Sequence, residues 1–190
     1  MTSDMPASSP ISNDSLVLVR PHARYRKTYL EGFRELTNDA ERTAWIYLGE
    51  AAPLDTLDGD FDAYVNTLLN REFERPPGFV CDTIYWGLVG DTVVGRIALR
   101  HELNEMLAMV GGHIGYIVRP SYRNTGMASA MLRAILDTDR ARAVGRLLLT
   151  CDDGNAASER VIVRNGGIYE SSVSPGSGRP AKRRFWIDVR

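Results

Sequence analysis

The stretch of sequence that decides the fold is GYIVRPSYRNTGMA, which runs from Gly115 to Ala128. It begins as an apolar β-strand, turns at Pro120 and continues as a helix from Gly126. A helix N-terminus carries unpaired backbone N–H groups and roughly half a positive charge. Small residues at Gly126 and Ala128 let an anionic group approach the backbone, and Arg123 adds a permanently charged donor beside it. The stretch therefore predicts a site that holds a diphosphate group. It lacks the lysine of a Walker loop, which favours holding that group over transferring it.

The composition is that of an ordinary globular protein. The chain has 190 residues, of which 44% are hydrophobic and 25% charged, so it can form one domain with a substantial core. Its formal net charge of −1 does not favour nucleic acid or an anionic membrane as a partner. No apolar run approaches the ~18 residues that span a bilayer, and the polar start Met1–Pro10 is unlike a secretory signal. Cys81 and Cys151 lack CxxC spacing, which favours a reduced, cytoplasmic protein.

We predict a flexible tail over residues 1–15, which are rich in Ser, Pro, Asp and Asn, and a single domain over residues 16–190. Strand-like and helix-like patterns alternate through this domain. The predicted strands cover residues 16–20, 83–89, 92–100, 113–119, 146–151, 168–173 and 185–189. The predicted helices cover residues 24–38, 43–50, 61–73, 126–140 and 155–164. A short polar linker is expected before residue 113.

The segment from His113 to Cys151 is predicted to be a strand, a helix and a strand. A crossover of this kind places its two strands parallel, and ligands of such sheets bind beyond the carboxyl ends of the strands. The turn from Arg123 to Ala128 is therefore expected at the mouth of a crevice. Cys151, Asp152 and Asn155 are expected on the opposite lip.

Two fingerprints resemble the GNAT superfamily of N-acetyltransferases. Arg123-Asn-Thr-Gly126-Met-Ala128 fits the family pattern Arg/Gln-x-x-Gly-x-Gly/Ala. Asn155-x-x-Ser158, followed by Asn165-Gly166-Gly167, resembles the family's helix after its fifth strand. The order of elements agrees with the family over about residues 16–190. A branch of predicted bacterial acetyltransferases is similar in three further stretches, Arg100-His101, Leu103-Asn104 and Gly111-Gly-His-Ile-Gly115.

The resemblance implies an α/β (α+β) fold in which a mixed, mostly antiparallel central sheet is splayed between two parallel strands, with helices on both faces. It also implies acetyl-CoA as the co-substrate. Backbone amides of residues 123–128 would hold the pyrophosphate, residues 117 and 118 would pair with the pantetheine arm, and residues 155 and 158 would bond that arm from the far lip. The cofactor-binding residues so implied are Ile117, Val118, Arg123, Asn124, Thr125, Gly126, Met127, Ala128, Asn155 and Ser158. The three histidines lack metal-ligand spacing, so we expect no metal.

Attack of an amine on a thioester needs a group that takes the amine's proton, because an alkylamine with a pKa near ~10.4 is mostly protonated at neutral pH. His113 is the first candidate base, since it lies two residues before Gly115 on the strand expected to line the thioester. A packing role on a half-buried strand is the alternative for this histidine. Glu105 and Glu102 precede the same strand and are the next candidates, with a solvated linker as their alternative.

The leaving thiolate raises a separate question. Many relatives carry a tyrosine seven residues after the helix asparagine, where this chain has Ile162. An alkyl group cannot donate a proton, so another group, water, or departure of the unprotonated thiolate must serve. Tyr116 and Tyr122 are nearby phenols, which we expect to pack and to cap the turn, respectively. Cys151 is interpreted as a buried strand end, because neighbouring aspartates would raise its pKa.

These observations predict an acetyl-CoA-dependent N-acetyltransferase in which the amine attacks directly in a ternary complex. The alternative is a non-catalytic sensor that binds acetyl-CoA, an alternative that Ile162 keeps open. A nucleotide-phosphate enzyme is disfavoured, because the chain has no GxxxxGK[ST] loop. The acceptor, a small-molecule or peptide amine, is not identified by the sequence. A homodimer is also considered, since the last strands of such folds often meet across a dimer.

Overall fold

The computed structural model describes residues 15–47, 57, 59–176 and 178–189. Within them the chain forms seven strands: β1 (Leu16–Val19), β2 (Asp82–Val89), β3 (Thr92–Arg100), β4 (Ile114–Val118), β5 (Arg146–Asp152), β6 (Ile168–Val173) and β7 (Lys182–Asp188). The main helices are α1 (Arg26–Arg34), α2 (Asp39–Ile46), α3 (Phe61–Asn70), α4 (Met127–Leu136), α5 (Asp139–Val144) and α6 (Ala156–Arg164). None of the helices in these ranges is long and apolar enough to cross a membrane.

The strands form two antiparallel sheets that lie side by side. The first has the order β1-β2-β3-β4, and the second has the order β5-β7-β6. A hairpin turn at Gly90 joins β2 to β3, and the positive φ of 56° at this residue fits the left-handed conformation that glycine tolerates. The central sheet is therefore interrupted between β4 and β5, which confirms the splayed sheet that the sequence predicted.

The helices cover both faces of the sheet through two separate cores. On one face, Tyr29 of α1 packs on Trp86 of β2 with ring centroids 4.5 Å apart, beside Trp45 of α2 and Phe61 of α3. On the other face, α4 buries a row of apolar side chains against β3, namely Met131, Leu132 and Ile135. Fully burying an apolar side chain contributes ~1.5–3 kcal/mol, so the two cores fix the sheet between the helices.

Side-chain caps account for two errors in the predicted helix boundaries. The helix predicted over 126–140 ends at Leu136, and α5 begins after Thr138, whose hydroxyl accepts a hydrogen bond from Ala141 N–H at 3.2 Å. The helix predicted from residue 43 begins earlier, at Asp39, because the Asn38 side chain caps Glu41 N–H at 2.9 Å.

Two further differences concern connections. Part of the predicted polar linker before β4 is a π-helical turn, Leu107–Gly111, which the Asn104 side chain caps. Helix α2 ends at Tyr47 in the left-handed conformation. The predicted continuation over 48–50 and the predicted tail over 1–14 lie outside the described residues.

Candidate active site

The turn before α4 presents its backbone amides without acceptors. Asn124 and Gly126 adopt positive φ angles of 61° and 87°, which reverse the chain and start the helix. Within α4 the first donating amide belongs to Ala130, which bonds Gly126 carbonyl at 3.0 Å. The amides of residues 124–129 donate to no acceptor among the described residues. Such a row of free donors at a helix N-terminus is a site for an anionic group.

These amides open into a cleft of about 410 Å³ between α4 and α6. Its walls include Gly126, Ala128 and Ser129 from the start of α4 and Ser158 from α6. Tyr116 and Val118 of β4 line the same cleft. The cleft is therefore bounded by a strand, the helix that follows it and the helix after the next strand.

The gap between β4 and β5 begins directly after His113. Its backbone N–H donates to Leu148 carbonyl at 2.7 Å, and its ring Nδ1 accepts from Leu148 N–H at 2.8 Å. From Ile114 to Val118, β4 has no hydrogen bond to the described residues of β5. The two strands are thus joined at one end and open toward the cleft.

Backbone alternation decides which groups of β4 face this gap. Arg119 N–H donates to Val94 carbonyl, and Ile117 carbonyl points toward Gly95, where a Cβ would lie 2.7 Å from it. Since successive residues of a strand direct their backbone groups to opposite sides, Tyr116 and Val118 direct theirs into the gap. The amides of these two residues, and not that of Ile117, are the ones available beside the cleft.

Two carboxylates tie the other face of the molecule to the turn. Glu35, just after α1, accepts from Arg119 Nε at 2.6 Å and from Ser121 N–H at 3.0 Å. Burial alone would raise the pKa of Glu35, but the hydrogen bonds from Ser121 and Arg119 together outweigh it and lower that pKa. Glu41 of α2 pairs with Arg123 Nη2 at 2.9 Å. Helices α1 and α2 are therefore fixed to the segment that shapes the cleft.

The GNAT acetyltransferase domain model matches residues 17–168, which is most of the chain. The chain belongs to the GNAT family of acetyltransferases. This confirms the resemblance seen in the two sequence fingerprints. The comparison with curated proteins finds no match.

Solved GNAT structures share the fold at low sequence identity. RimL, a ribosomal L7/L12 alpha-N-protein acetyltransferase in complex with coenzyme A, is 16% identical, with a TM-score of 0.64 over 95% of this chain and 97% of that one. MccE, a microcin C7 self-immunity acetyltransferase in complex with acetyl-CoA and AMP, is 11% identical, with a TM-score of 0.64 over 93% of each chain. Spermidine N-acetyltransferase from Vibrio cholerae, in complex with CoA and spermine, is 14% identical, with a TM-score of 0.60 over 93% of this chain and 96% of that one.

Most of the cofactor-binding residues that the GNAT resemblance implies meet in one place. The cleft is lined by Val118, Arg123, Asn124, Gly126, Met127, Ala128 and Ser158. The remaining three do not line it. Ile117 directs its backbone groups toward β3 and packs its side chain in the core on the other face of the sheet. The Thr125 hydroxyl donates to Tyr122 carbonyl at 2.6 Å, and Asn155 caps α6 by accepting from Ser158 N–H at 3.1 Å. The Arg123 guanidinium is held by Glu41 and by Val118 carbonyl, so its backbone is the part available to a ligand.

The structure places His113 differently from the base that we predicted. Its side chain is buried, and burial, followed by the charge of Arg100, lowers the pKa of His113 to about 4. Because Nδ1 accepts from Leu148 N–H, the neutral ring carries its proton on Nε2 and keeps no free lone pair. The geometry therefore supports a role in joining β4 to β5 and does not support the general-base role.

Glu102 and Glu105 are exposed on the connection between β3 and β4. Glu105 lies at the start of the helical turn that Asn104 caps. No described hydrogen bond or ion pair fixes either carboxylate toward the cleft. A catalytic role for them stays a prediction.

Tyr116 lines the cleft, whereas the sequence predicted only a packing role for it. Its hydroxyl is buried, and the Ser158 side chain is the hydrogen-bonding group beside it. It lies near Ser158 and Cys151, and burial raises the pKa of the Tyr116 phenol. Ile162, at the position where many relatives have tyrosine, is buried in the core under α4. Two phenols line the cleft, Tyr116 of β4 and Tyr122 of the turn that follows it.

Burial, followed by the charge of Glu159, raises the pKa of Cys151, in agreement with its interpretation as a buried strand end. Sequence reasoning missed Arg160 and Arg164, which line the cleft from α6. Their i, i+4 spacing places them on one side of that helix, and counting turns from the Asn155 cap would have found them. No group of three or more potential metal ligands occurs among the residues that the structure describes.

Proposed function

We propose that the protein is an acetyl-CoA-dependent N-acetyltransferase that transfers the acetyl group to a primary amine by direct attack. The observation that carries this proposal is the row of unpaired amides over residues 124–129 at the edge of the cleft. A diphosphate fits it because the donors are main-chain N–H groups at a helix N-terminus, with Arg160 and Arg164 adding positive charge on the opposite wall.

Acetyl-CoA would supply the activated acyl group as a thioester. Its diphosphate would be held by the turn, and the open edge of β4 would receive its arm. Val118 N–H faces the gap and would donate to the acyl oxygen as negative charge develops there. The backbone direction of β4 favours Val118 over Ile117 for this task, because Ile117 directs its backbone groups toward β3.

Tyr116 is the group best placed to protonate the departing thiolate. Its hydroxyl lies in the cleft wall beside Ser158, and a phenol whose pKa is raised by burial keeps its proton until a thiolate forms. For the amine proton we assign no side chain, because the His113 ring is committed to Leu148. Water in the open gap and the carboxylates of Glu102 and Glu105 are the remaining candidate acceptors for that proton.

Two measurements test the proposal together. Titration calorimetry should detect acetyl-CoA binding, and thiol release from acetyl-CoA should increase when amines are added. RimL acts on a ribosomal protein and the Vibrio cholerae enzyme on spermidine, so the amine panel should include an N-terminal peptide and a polyamine. Binding without thiol release for every amine would favour the sensor alternative. An absence of binding at millimolar acetyl-CoA would refute the proposal.

A further inference from the structure

The face of β4 opposite the cleft is lined by arginine. Tyr116 and Val118 point into the cleft, so the alternate residues Gly115 and Ile117 face the other side of the sheet. On the neighbouring strand β3, Arg96 is registered against Ile117, and Arg100 lies two residue pairs further along the same face. Both arginines thus flank Gly115 on the side from which an acceptor would reach the gap.

Arg96 is a buried cation that forms no ion pair with a carboxylate of the described residues. Its side chain is 2% exposed, and its Nε and Nη1 have no hydrogen-bond partner among the described residues. Its Nη2 donates to Ala44 carbonyl, and the guanidinium lies over the Tyr47 ring at 4.0 Å. A guanidinium does not lose its charge in proteins, so this burial leaves a positive potential on the face.

Arg71 and Arg75 extend the positive cluster. Arg71 lies 4.5 Å from the centre of the same Tyr47 ring and forms a bidentate pair with Asp82, at 2.8 and 2.9 Å. Arg75 is near Arg71 and Tyr47. Among the described residues, Asp82 is the carboxylate that pairs with this cluster, so the charge of Arg96 and Arg100 is not compensated there.

Arg100 is the member that can reach a ligand. Its Nη1 donates to the carbonyls of Gly112 at 2.9 Å and Gly111 at 3.3 Å, which holds the guanidinium in place. Among the described residues, the one atom that a Cβ at Gly115 would meet within 4 Å is Arg100 Nη2, at 4.0 Å, so a small group fits between that nitrogen and β4. This space adjoins the backbone of Tyr116, which faces the gap.

We infer that the acceptor amine carries a carboxylate or phosphate, which Arg100 binds beside Gly115 and which the buried charge of Arg96 attracts. Charge-assisted hydrogen bonds to a guanidinium are about twice as strong as neutral ones. The same potential would repel a polycation such as spermidine. The inference rests on the proposed transferase function and narrows its substrate class.

The test compares acceptors that differ in one charge. The pairs are 3-aminopropyl phosphate with 3-aminopropanol, and β-alanine with β-alaninamide, and spermidine is the cationic reference. We expect the anionic member of at least one pair to have the higher kcat/KM, by about tenfold or more. The pair that shows the preference distinguishes a phosphate from a carboxylate.

Variants locate the effect. Arg100→Gln should remove the preference by raising KM for the anionic member, whereas the exposed Arg142→Gln on α5 should leave it unchanged. A second measurement needs no turnover: with CoA saturating the cleft, inorganic phosphate should raise Tm in the wild type and not in Arg100→Gln.

The outcomes separate the two proposals. Preference for spermidine or for the neutral members, or an anion preference that survives Arg100→Gln, overturns the inference and leaves the transferase standing. Thiol release with none of the amines overturns the proposed function. In that case the phosphate shift still decides whether the arginine face binds anions.

Discussion

The two faces of β4 present hydrogen-bond donors of two different kinds. On the cleft face the donors are main-chain amides of one short turn, residues 124–129, and the left-handed Gly126 lets a ligand approach them. On the other face the donors are side-chain guanidinium groups, carried by β3 and the segment after α3. The main-chain donors come from consecutive residues, whereas the side-chain donors come from separate elements that the fold brings together.

The largest effect is expected from breaking the main-chain site. Gly126→Asp places a Cβ at a φ of 87° and a negative charge among the free amides. We expect acetyl-CoA affinity to fall by at least about a hundredfold, corresponding to ~2.7 kcal/mol. Calorimetry on this variant and on Arg100→Gln checks the comparison, because the arginine variant should bind acetyl-CoA normally. If wild type and Gly126→Asp bound acetyl-CoA with equal affinity, this turn would not be the binding site for the diphosphate.

A second prediction tests whether Tyr116, on the cleft face of β4, protonates the departing thiolate. Tyr116→Phe removes the phenol hydroxyl and keeps the packing of the ring. If the phenol protonates the thiolate, kcat should fall by about a hundredfold with little change in acetyl-CoA affinity. The rate difference should shrink for a thioester with a more acidic leaving thiol. A variant with wild-type kcat would show that the thiolate leaves without this residue.

A third prediction concerns the hydrogen bond between His113 and Leu148, which joins β4 to β5. His113→Leu leaves the buried Leu148 N–H without an acceptor, which should cost ~1–3 kcal/mol of unfolding free energy. His113→Asn supplies an acceptor oxygen near the position of Nδ1 and should recover part of that loss. Denaturant unfolding measures both. If the asparagine variant were as stable as wild type but nearly inactive, the general-base role would regain support.

The same bond predicts a pH dependence of stability. The pKa of His113 is about 4 in the folded chain, against an ordinary value of about 6.5 in the unfolded chain. The unfolded state therefore binds the proton first, and the contribution of the neutral ring is complete above pH 6.5 and is lost as pH falls toward 4. His113→Asn should flatten the unfolding free energy in this window. If the pH dependence of the unfolding free energy were unchanged in this variant, a group other than His113 would take up the proton on unfolding.

The smallest effect is expected from the tie between α1 and the turn. The pKa of Glu35 is lowered in the fold, so its contribution is present above the ordinary carboxyl pKa near 4.3 and is lost as pH falls further. Glu35→Gln should lower Tm slightly at pH 7 and make little difference at pH 3. Scanning calorimetry at the two pH values measures this. If Glu35→Gln lowered Tm equally at pH 7 and pH 3, the substitution would act through packing and not through the charge of Glu35.

The fold was largely predictable from the sequence because its signals are local. The turn residues at 90–91 and the fingerprint over 123–128 each lie within a few positions of one another. The boundary errors came from caps at Thr138 and Asn38, whose side chains decide where a helix starts but do not change its periodicity.

The candidate site was predictable only in part. The cleft residues of the turn follow from one motif. The position of the His113 ring does not, because it depends on Leu148, a partner 35 residues away that the motif does not contain. The arginine cluster combines residues of β3 and the segment after α3 with Tyr47, and no spacing along the chain relates them.

In the proposed reaction, the side-chain alternation of β4 would set which reactant comes from which side of the sheet. Because the repeat of a strand is two residues, deletion of a single residue between Gly115 and Val118 would exchange the walls. A bulky phenol would then fill the acceptor approach, and a glycine would open the nucleotide cleft. The alternation of side chains along this five-residue strand would thus keep acetyl-CoA and the acceptor amine on opposite faces of the sheet.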